Sequence, residues 1–417
     1  MNIIKLLALV AWAGALFWLL AALITWRALV KRKPLRAATT NNDLTKADAP
    51  LVSVLVPARN EEGRVLRECI HSILGQDYGR FEVITVNDRS TDATGPILHD
   101  MAKGDIRLRV IDGKVTPKGW LGKPFAMQQA LDVARGEWVL ATDADMIFDR
   151  AALRTAVDYA LEREVDALSF IPLFEAHSFW ERVMTPAWSW VTLVYILVYR
   201  VDDPRSESAV GLGGFFLMRR ASLESVGGYR ALRNEVLEDM RLADLLKRAG
   251  AALAFEYAPS LVRTRMYRNF SEMWESSTKN WFSGVKFSVG RALSSVLSMY
   301  VGAVVPPLIA LAVAVALAAG AGAWAWPLFF PLFTVWVSEV FILAMLSRRC
   351  RIPLVYSLTT PLGLAVLYTM LLDSTLRISS GKGVVWKGRK LYESAGSVRP
   401  PAAAEQTSKV SFADDRR

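Results

Sequence analysis

The sequence predicts an α/β protein that combines a mostly parallel sheet, with helices on both faces, and transmembrane helices. Four short apolar runs between residues 51 and 141 have the length of buried strands, and segments with helical spacing lie between them. Strands and helices in alternation are typical of a parallel sheet that is covered on both faces. Further apolar runs near both ends of the chain are long enough to cross a bilayer.

Length and composition leave room for both parts. The chain has 417 residues, of which 53% are hydrophobic, and a formal net charge of +10. The charge does not indicate a nucleic-acid partner, because no nucleic-acid-binding motif is present. Basic residues instead cluster beside the apolar runs, where they suit anionic lipid headgroups. The cysteines and histidines show no metal or redox spacing, so we expect them to be structural.

The first element is a predicted transmembrane anchor within residues 1–30. Its apolar run, Leu6 to Trp26, is too long for the core of a signal peptide, and no small-residue cleavage site is evident. Only Lys5 precedes the run, and a basic cluster follows it at Lys31, Arg32, Lys33 and Arg36. The positive-inside rule therefore places the polar linker 31–50 and the domain after it in the cytoplasm.

The predicted domain, residues 51–290, begins with the alternating strands and helices. The predicted strands are residues 51–56, 81–86, 106–111 and 138–141, and helices are expected at 65–74, after the second loop, and at 124–134. The first loop reads PARNE and holds no glycine fingerprint, so neither the usual dinucleotide-binding fold nor a Walker loop is expected. In the second loop Ser90, Thr91 or Asp92 can cap the next helix.

Two carboxylates follow the fourth strand directly. Asp143 and Asp145 are separated only by Ala144, and side chains two apart on an extended segment point the same way. Two hard oxygen ligands, with other positions left to water and phosphate, suit Mg²⁺ or Mn²⁺. The alternative is a polar strand end or a helix cap. Because ligands bind at the carboxyl ends of parallel strands, we expect loops 57–61, 87–92 and 142–145 to form one site.

Several motifs together resemble a known enzyme family. VLVPARNEE, VNDRSTDAT and LATDADMIF resemble the nucleotide-binding half of the inverting family 2 glycosyltransferases, which have the GT-A fold. Gly213-Gly214-Phe215, Gly227-Gly228-Tyr229 and Leu237-Glu238-Asp239 continue the resemblance. WLGKPFA, RTRMYR and VVWKGRK are similar to bacterial membrane-bound lipid glycosyltransferases of the carotenoid (chlorobactene and diaponeurosporenoate) type, and more distantly to hopanoid and ceramide types. The resemblance covers residues 51–390 and depends on the order and spacing of the motifs.

The resemblance implies a UDP-sugar donor and a role for each loop. The backbone of Ala58 and Glu61 would meet the uracil edge, and Asp88 would accept from uracil or ribose. Asp143 would reach the ribose or a metal-bound water, and Asp145 would hold Mg²⁺ or Mn²⁺ between the phosphates. Lys123 would act as a point charge at the donor. The alternative is that it is a solvated loop lysine. The implied donor-binding residues are Pro57, Ala58, Arg59, Asn60, Glu61, Asp88, Lys123, Asp143 and Ala144, with Asp145 and Asp143 at the metal.

Inverting transfer needs a base that takes the proton of the acceptor hydroxyl. The resemblance places this base at Asp239, with Glu238 beside it as the next candidate. The alternative is that both are acidic residues favoured at a helix amino terminus by its dipole.

The acceptor side departs from the pattern of the processive polysaccharide synthases. Their Gln-x-x-Arg-Trp motif is reduced here to Ser277-Thr278-Lys279-Asn280-Trp281, which keeps only the tryptophan. We therefore expect transfer of a single sugar rather than polymer synthesis. Gly213, Gly214, Asn280 and Trp281 are the candidate acceptor or sugar contacts. The alternative for Trp281 is an anchor at the membrane interface.

Residues 179–199 form an apolar segment inside the domain. A membrane crossing there would put Asp145 and Asp239 on opposite sides of the bilayer, so we expect an interfacial or re-entrant segment instead. Pro186 is expected to break it.

Three more apolar runs, 296–319, 326–346 and 353–372, make up the predicted carboxy-terminal membrane region 291–378. We expect the third run to be re-entrant, because this returns the basic part of segment 379–417 to the cytoplasm. The rest of that segment, after Arg399, is expected to be disordered.

The sequence thus predicts a metal-dependent enzyme that moves one sugar from a UDP-sugar to a membrane lipid. The alternatives are transfer to a polyprenyl phosphate, or an inactive membrane protein that binds nucleotide-sugar or lipid. The set Asp88, Asp143, Asp145 and Asp239 favours an enzyme, because a binding protein needs no base.

Overall fold

A computed structural model describes residues 3–37, 49–195, 200–320, 322–386 and 388–392. Most of the predicted linker, the end of segment 179–199 and the tail after Arg399 lie outside these residues. The strands are β1 (Val52–Ala58), β2 (Phe81–Asn87), β3 (Leu108–Asp112), β4 (Trp138–Ala141), β5 (Met146–Phe148), β6 (Ala167–Ile171), β7 (Leu173–Phe174), β8 (Phe216–Arg219), β9 (Leu253–Tyr257), β10 (Val262–Thr264), β11 (Val384–Trp386) and β12 (Arg389–Leu391).

The helices surround and extend this set of strands. They are α1 (Ile3–Lys31), α2 (Leu66–Leu74), α3 (Thr94–Gly104), α4 (Gly122–Val133), α5 (Ala152–Glu162), α6 (Phe179–Tyr195), α7 (Arg220–Ser225), α8 (Glu238–Arg248), α9 (Phe270–Gly284), α10 (Val289–Met299), α11 (Val305–Ala318), α12 (Trp326–Arg349) and α13 (Thr360–Ser379). A π-helical turn, Tyr300–Val304, joins α10 to α11, and a 3₁₀ turn, Leu354–Thr359, precedes α13.

The main sheet has the strand order β3-β2-β1-β4-β8-β6-β9. β1 pairs in parallel with β2 and β4, and β6 pairs in parallel with β9. β8 lies antiparallel between β4 and β6. A second sheet, β5-β10-β7, lies beside it, and β11 and β12 form a hairpin. The predicted mostly parallel α/β sheet is confirmed.

Helices cover both faces of the main sheet because strand side chains alternate between them. Val54 and Val56 of β1 belong to one buried cluster, with side chains of α2, α3 and α5. Leu55, between them, belongs to the other cluster, with side chains of α4 and α8. Each strand of the centre therefore contributes to two apolar layers, and its carboxyl end is left to carry the polar loops.

Two local predictions are wrong. Pro186 does not break its segment, because α6 continues through it as one helix. The two aspartates after β4 do not lie on an extended segment, since residues 144 and 145 form a turn between β4 and β5.

Four helical stretches are long and apolar enough to cross a membrane, judged by length and composition: Ile3–Lys31, Val289–Ala318, Trp326–Arg349 and Leu354–Ser379. They indicate membrane association. α1 packs along α12, and the Arg349 side chain at the end of α12 donates to the carbonyl of Arg32 at 2.8 Å. Many side chains on the outer face of α1 are exposed and apolar, including Leu9, Val10 and Leu16.

Candidate active site

The site lies at the carboxyl edge of β1, β2 and β4, where two of the predicted polar loops are joined by hydrogen bonds. Asn60 and Arg89 have φ values of 51° and 52°, a left-handed conformation that asparagine tolerates well. The Asn60 N–H donates to Ser90 Oγ at 3.1 Å, and Thr91 N–H donates to Asn60 Oδ1 at 3.0 Å. The Arg59 guanidinium donates to the carbonyls of Asp88 and Arg89 at 2.7 and 2.9 Å. Arg59 and Asn60 therefore shape the loops.

Asp92 ties the same loops together. Its Oδ1 accepts from the N–H of Thr94, the first residue of α3, and its Oδ2 accepts from Glu62 N–H. These hydrogen bonds lower the pKa of the Asp92 carboxyl, although burial opposes them. Asp92 thus stabilises the start of the helix. Asp88, in contrast, is buried at the end of β2 and lies 3.5 Å from Arg89 Nε.

Lys123 joins two predicted site residues that are far apart in sequence. Its Nζ lies 2.7 Å from Asp143 Oδ1 and 2.7 Å from Glu238 Oε1. Lys123 and Asp143 are partly exposed, at 38% and 39% of their side chains, whereas Glu238 is 8% exposed. Lys123 stands near the start of α4 and Glu238 begins α8, so two helix amino termini meet at the loop after β4. Lys123 is therefore not a solvated loop lysine.

Asp239 is held in the same group by backbone donors. Its Oδ2 accepts from Gly213 N–H at 2.7 Å, and its Oδ1 accepts from Met240 N–H at 2.8 Å. A Cβ at position 213 would lie 2.9 Å from Lys123 Nζ and 3.3 Å from Asp239 Oδ2, so a side chain there would displace the lysine ammonium. Gly213 thus lets the backbone approach the charged side chains. Lys123, Asp143, Glu238, Asp239 and Gly213 are named the charged group below.

The charged group shifts its own pKa values. Burial, and then the negative charge of Glu238, raise the pKa of Asp239 to about 6, against the opposing effects of Lys123 and the two backbone donors. Burial lowers the pKa of Lys123, but Asp143, Glu238 and Asp239 more than reverse this and hold it well above its usual range. Lys123 therefore stays charged near neutral pH, while Asp239 is a stronger base than an ordinary aspartate.

By themselves, the residues of the site supply only part of the ligand set that a divalent cation needs. Asp143 and Asp145 are half-buried carboxylates on either side of the buried Ala144, and they offer the hard oxygen ligands that Mg²⁺ and Mn²⁺ prefer. Within the described ranges, no group of three or more His, Cys, Asp or Glu side chains is placed to hold a metal. An ion would therefore complete its coordination with donor phosphates and water.

The other three predicted acceptor or sugar contacts are Gly214, Asn280 and Trp281, and the structure gives their surroundings. The Gly214 carbonyl accepts a hydrogen bond from Thr142 Oγ1 at 2.8 Å, and a Cβ at Gly214 would lie 2.8 Å from Met146 Sδ. Trp281 packs against the apolar cluster that joins α9 to the apolar helices. Asn280 has a buried Oδ1 without a hydrogen-bond partner among the described residues. Their contact with an acceptor stays a prediction.

Sequence reasoning missed Lys279. The charges of Glu238, Lys123, Asp143 and Asp239 all act on it, and its Nζ lies 4.4 Å from the centre of the Trp386 ring. The only signal in the sequence was the basic-aromatic segment VVWKGRK, whose position beside the site cannot be read from spacing.

Comparisons with known proteins identify relatives of this chain. The sequence profile described as Glycosyl transferase family 2 matches residues 53–227. An N-acetylglucosaminyltransferase from Bradyrhizobium sp. (strain ANU 289) is 37% identical over 134 residues, which are 31% of this chain and 84% of that protein. A Bacillus subtilis (strain 168) protein named as a teichuronic acid biosynthesis glycosyltransferase is 27% identical over 236 residues, 56% of this chain and 86% of that protein. Matches to two longer glycosyltransferases cover only 38% and 32% of their length.

Among solved structures, a mannosyltransferase from Pyrobaculum calidifontis in complex with GDP-Man and Mn²⁺ is similar to this chain. It is 20% identical, with a TM-score of 0.48, over 89% of this chain and 98% of that one.

The parallel sheet with polar loops at its carboxyl edge, together with the relatives, defines an enzyme that transfers sugar from a nucleotide donor. Its α/β domain has the GT-A fold. The chain belongs to glycosyl transferase family 2. The predicted fold class and enzyme class are therefore confirmed. These relatives do not name a carotenoid, hopanoid or ceramide acceptor, and the acceptor is part of the proposal below.

Proposed function

We propose that this protein transfers a single sugar, with inversion, from a UDP-sugar to a hydroxyl of a membrane lipid. The observation that carries the proposal is the charged group, in which Asp143 of the donor side and Asp239 of the acceptor side both lie beside Gly213: a Cβ there would be 3.4 Å from Asp143 Oδ2 and 3.3 Å from Asp239 Oδ2. A donor loop and a base candidate that are far apart in sequence thus lie around one small space. This is the arrangement that a direct transfer between two bound substrates requires.

The donor would bind along the carboxyl edge of the sheet. The buried Asp88 would face the nucleoside. The carbonyls of Ala58 and Glu61 each accept one backbone N–H and would accept a second hydrogen bond from the base, whereas the Glu61 N–H donates to Thr94 Oγ1. Asp143 and Asp145 would hold a divalent cation, which neutralises charge on the diphosphate leaving group. Lys123 adds a fixed positive charge beside Asp143.

Asp239 would act as the base. In an inverting transfer the acceptor oxygen forms a bond to the anomeric carbon while the bond from that carbon to the phosphate oxygen breaks. The electron pair leaves with the diphosphate, and the acceptor proton goes to Asp239. The two backbone donors at Asp239 fix the carboxylate in place, and its raised pKa suits proton transfer near neutral pH.

A cavity bordered by α9 favours an amphipathic acceptor. It has a volume of about 1040 Å³ and lies between α9, the end of α13 and β11. Phe270, Trp274 and Leu376 give it apolar surface, and Asp373 and Arg377 give it charged surface. The Trp274 Nε1–H donates to Asp373 Oδ2 at 2.8 Å, so the tryptophan ring is held in place. A lipid with a polar end matches a cavity of this mixed character beside apolar helices.

The test compares lipids from cells that lack this protein with lipids from cells that carry it or its Asp239→Asn variant. Mass spectrometry should show a lipid heavier by one hexose-type residue only with the wild-type protein, and the unmodified lipid should accumulate in the other two strains. A product with several added sugars, or a sugar on soluble glycan alone, would contradict single transfer to a lipid. Equal lipid profiles in all three strains would contradict the proposed acceptor.

A further inference from the structure

The carboxy-terminal hairpin packs against the domain although it lies far along the chain. β11 contacts α9, and the Trp386 ring stands over the ammonium of Lys279. Beyond the hairpin, the Tyr392 ring meets the Phe287 ring edge-on at 5.4 Å. The family profile ends at residue 227, so both Lys279 and the hairpin lie outside the region that the family shares.

Lys279 is a cation in an unusual place. It is half-buried on α9, and burial lowers its pKa to about 8, while the carboxylates of the charged group oppose this. Lys123 makes two ion pairs in that group. Within the part of the chain that the structure describes, the Lys279 ammonium makes neither an ion pair nor a hydrogen bond. Its one recorded partner is the ring of Trp386.

An aromatic ring holds an ammonium differently from a carboxylate. The negative face of the ring attracts the cation but does not neutralise its charge, so the charge stays available to an anion. Trp386 therefore fixes the position of Lys279 without removing its positive charge. Burying an unneutralised ammonium is costly unless an anion binds there.

The charges of the site indicate which anion would bind to Lys279. The charged group holds three carboxylates, Asp143, Glu238 and Asp239, and one ammonium, Lys123. With Asp145 and a divalent cation counted as well, the site still carries one net negative charge, so a nucleoside diphosphate would meet repulsion there. The Lys279 ammonium, on which the charges of the same group act, reduces that repulsion. Donor diphosphate is also the part of the substrate on which negative charge grows during transfer.

We propose that the hairpin completes the donor site: Trp386 holds Lys279 in position to bind the diphosphate of the nucleotide. The inference rests on the proposed function, since it assumes a nucleoside diphosphate donor. Lys279 contacts the leaving group as a fixed positive charge and takes up no proton. Trp386 is a positioning residue, and β11 becomes part of the active site rather than a membrane-surface segment.

The test measures equilibrium binding of UDP, UMP and uridine to the full-length protein in nanodiscs with Mg²⁺. Lys279→Met should weaken UDP binding by about ten- to a hundredfold, the range for loss of a charged hydrogen bond, and should change uridine binding little. Trp386→Leu should weaken UDP binding by roughly three- to tenfold. Trp386→Phe should keep most of the wild-type affinity for UDP, because a phenyl ring also attracts a cation. Lys103→Met, on the exposed surface of α3, is the matched control for loss of one charge and should bind all three ligands as wild type does.

The outcomes separate the two proposals. Equal loss of UDP, UMP and uridine binding would mean general damage to the nucleotide loops and would overturn the diphosphate role. Unchanged UDP binding by Lys279→Met would overturn it while leaving the proposed function intact. A wild-type protein that binds no UDP would contradict the UDP donor itself. Retained melting temperatures in the variants would exclude unfolding as the cause.

Discussion

The two carboxylates that begin α8 have different partners. Glu238 is buried and forms an ion pair with Lys123, so the lysine ammonium already balances its negative charge. Asp239 accepts two backbone N–H groups and has a raised pKa. Of the two residues, Asp239 is therefore better suited to take a proton.

Asp239→Asn separates its structural and chemical roles. Asparagine has one side-chain oxygen, so it keeps only one of the two hydrogen bonds from Gly213 N–H and Met240 N–H. That loss, about 1–3 kcal/mol, and a lost dipole interaction of about 0.3–1 kcal/mol should still leave the protein folded. As a base, however, the amide cannot accept the acceptor proton, and the transfer rate should fall by about 10²–10⁴-fold. UDP-sugar affinity and transfer rate should be measured on the same preparation, and affinity is expected to persist.

Glu238→Gln is the matched control for Asp239→Asn. It removes one partner of Lys123 and should weaken donor binding more than it slows the chemical step. If instead Glu238→Gln abolished transfer and Asp239→Asn left it within a few-fold of wild type, the base would be Glu238.

The raised pKa of Asp239 also predicts a pH dependence of transfer. A base acts only in its deprotonated form, so the rate should fall about tenfold per pH unit as the pH drops below about 6. An ordinary aspartate would keep its activity to about pH 4. A kcat/KM that is flat between pH 7 and pH 5 would contradict the assignment of Asp239 as the base, because kcat/KM reports the pKa of the free enzyme.

At the scale of elements, the segment between β4 and β5 carries Asp143 and Asp145, the two carboxylates that would bind a metal. Asp145→Ala should abolish transfer and make UDP-sugar binding independent of Mg²⁺ or Mn²⁺, because one of the two carboxylates is gone. Glu162→Ala, at the exposed end of α5, is a control that removes a carboxylate elsewhere. Binding titrations with and without EDTA give the measurement, and near-normal turnover of the wild type in EDTA would contradict metal dependence.

The sequence was informative where polar residues directly follow a strand. Asp143 after β4 and Asn87–Asp92 after β2 could be placed at one edge, because parallel strands bring their carboxyl ends together. The antiparallel β8 and the approach of Gly213 to Asp239 could not be read from local pattern, since they depend on where a distant segment returns to the sheet. Pro186 was misread because α6 carries the proline within a helix that packs against α12 and α13.

At the scale of the whole molecule, contacts at both ends of α13 bear on how the chain crosses the membrane. Tyr356, just before α13, accepts from Arg182 of α6 at 3.2 Å. Ser374, near its end, donates to the carbonyl of Thr278 in α9 at 2.5 Å. A crossing helix would put these ends on opposite sides of the bilayer. We infer that α13 is re-entrant or interfacial, which leaves α1, the α10–α11 stretch and α12 as the crossings and keeps the hairpin on the side of the domain.

This topology predicts how introduced cysteines react with an impermeant thiol reagent in intact cells. In a Cys350→Ser background, cysteines at Lys103, Arg163 and Lys382 should all resist the reagent, because the domain and the hairpin are expected in the cytoplasm. A cysteine at Ala323, which is exposed between α11 and α12, should react readily. Labelling at Lys382 but not at Lys103 would show that α13 crosses the membrane.

The position of the hairpin marks the limit of prediction from this sequence. Its basic residues suggested only a surface that suits anionic lipid. The contact of Trp386 with Lys279 depends on how α13 returns to α9, and hydropathy alone allows either a crossing or a return. Packing of the end of α13 on α9 is the basis on which we infer a return.

The most direct test of the central claim is transfer of labelled sugar by the purified protein in nanodiscs that contain a total lipid extract. With UDP-sugars carrying a labelled hexose, the wild type should release UDP and place an equal amount of label in the organic-soluble fraction. The Asp239→Asn variant should bind the same donor and place none there. Release of UDP without label in lipid, or equal labelling by both proteins, would contradict a lipid glycosyltransferase whose base is Asp239.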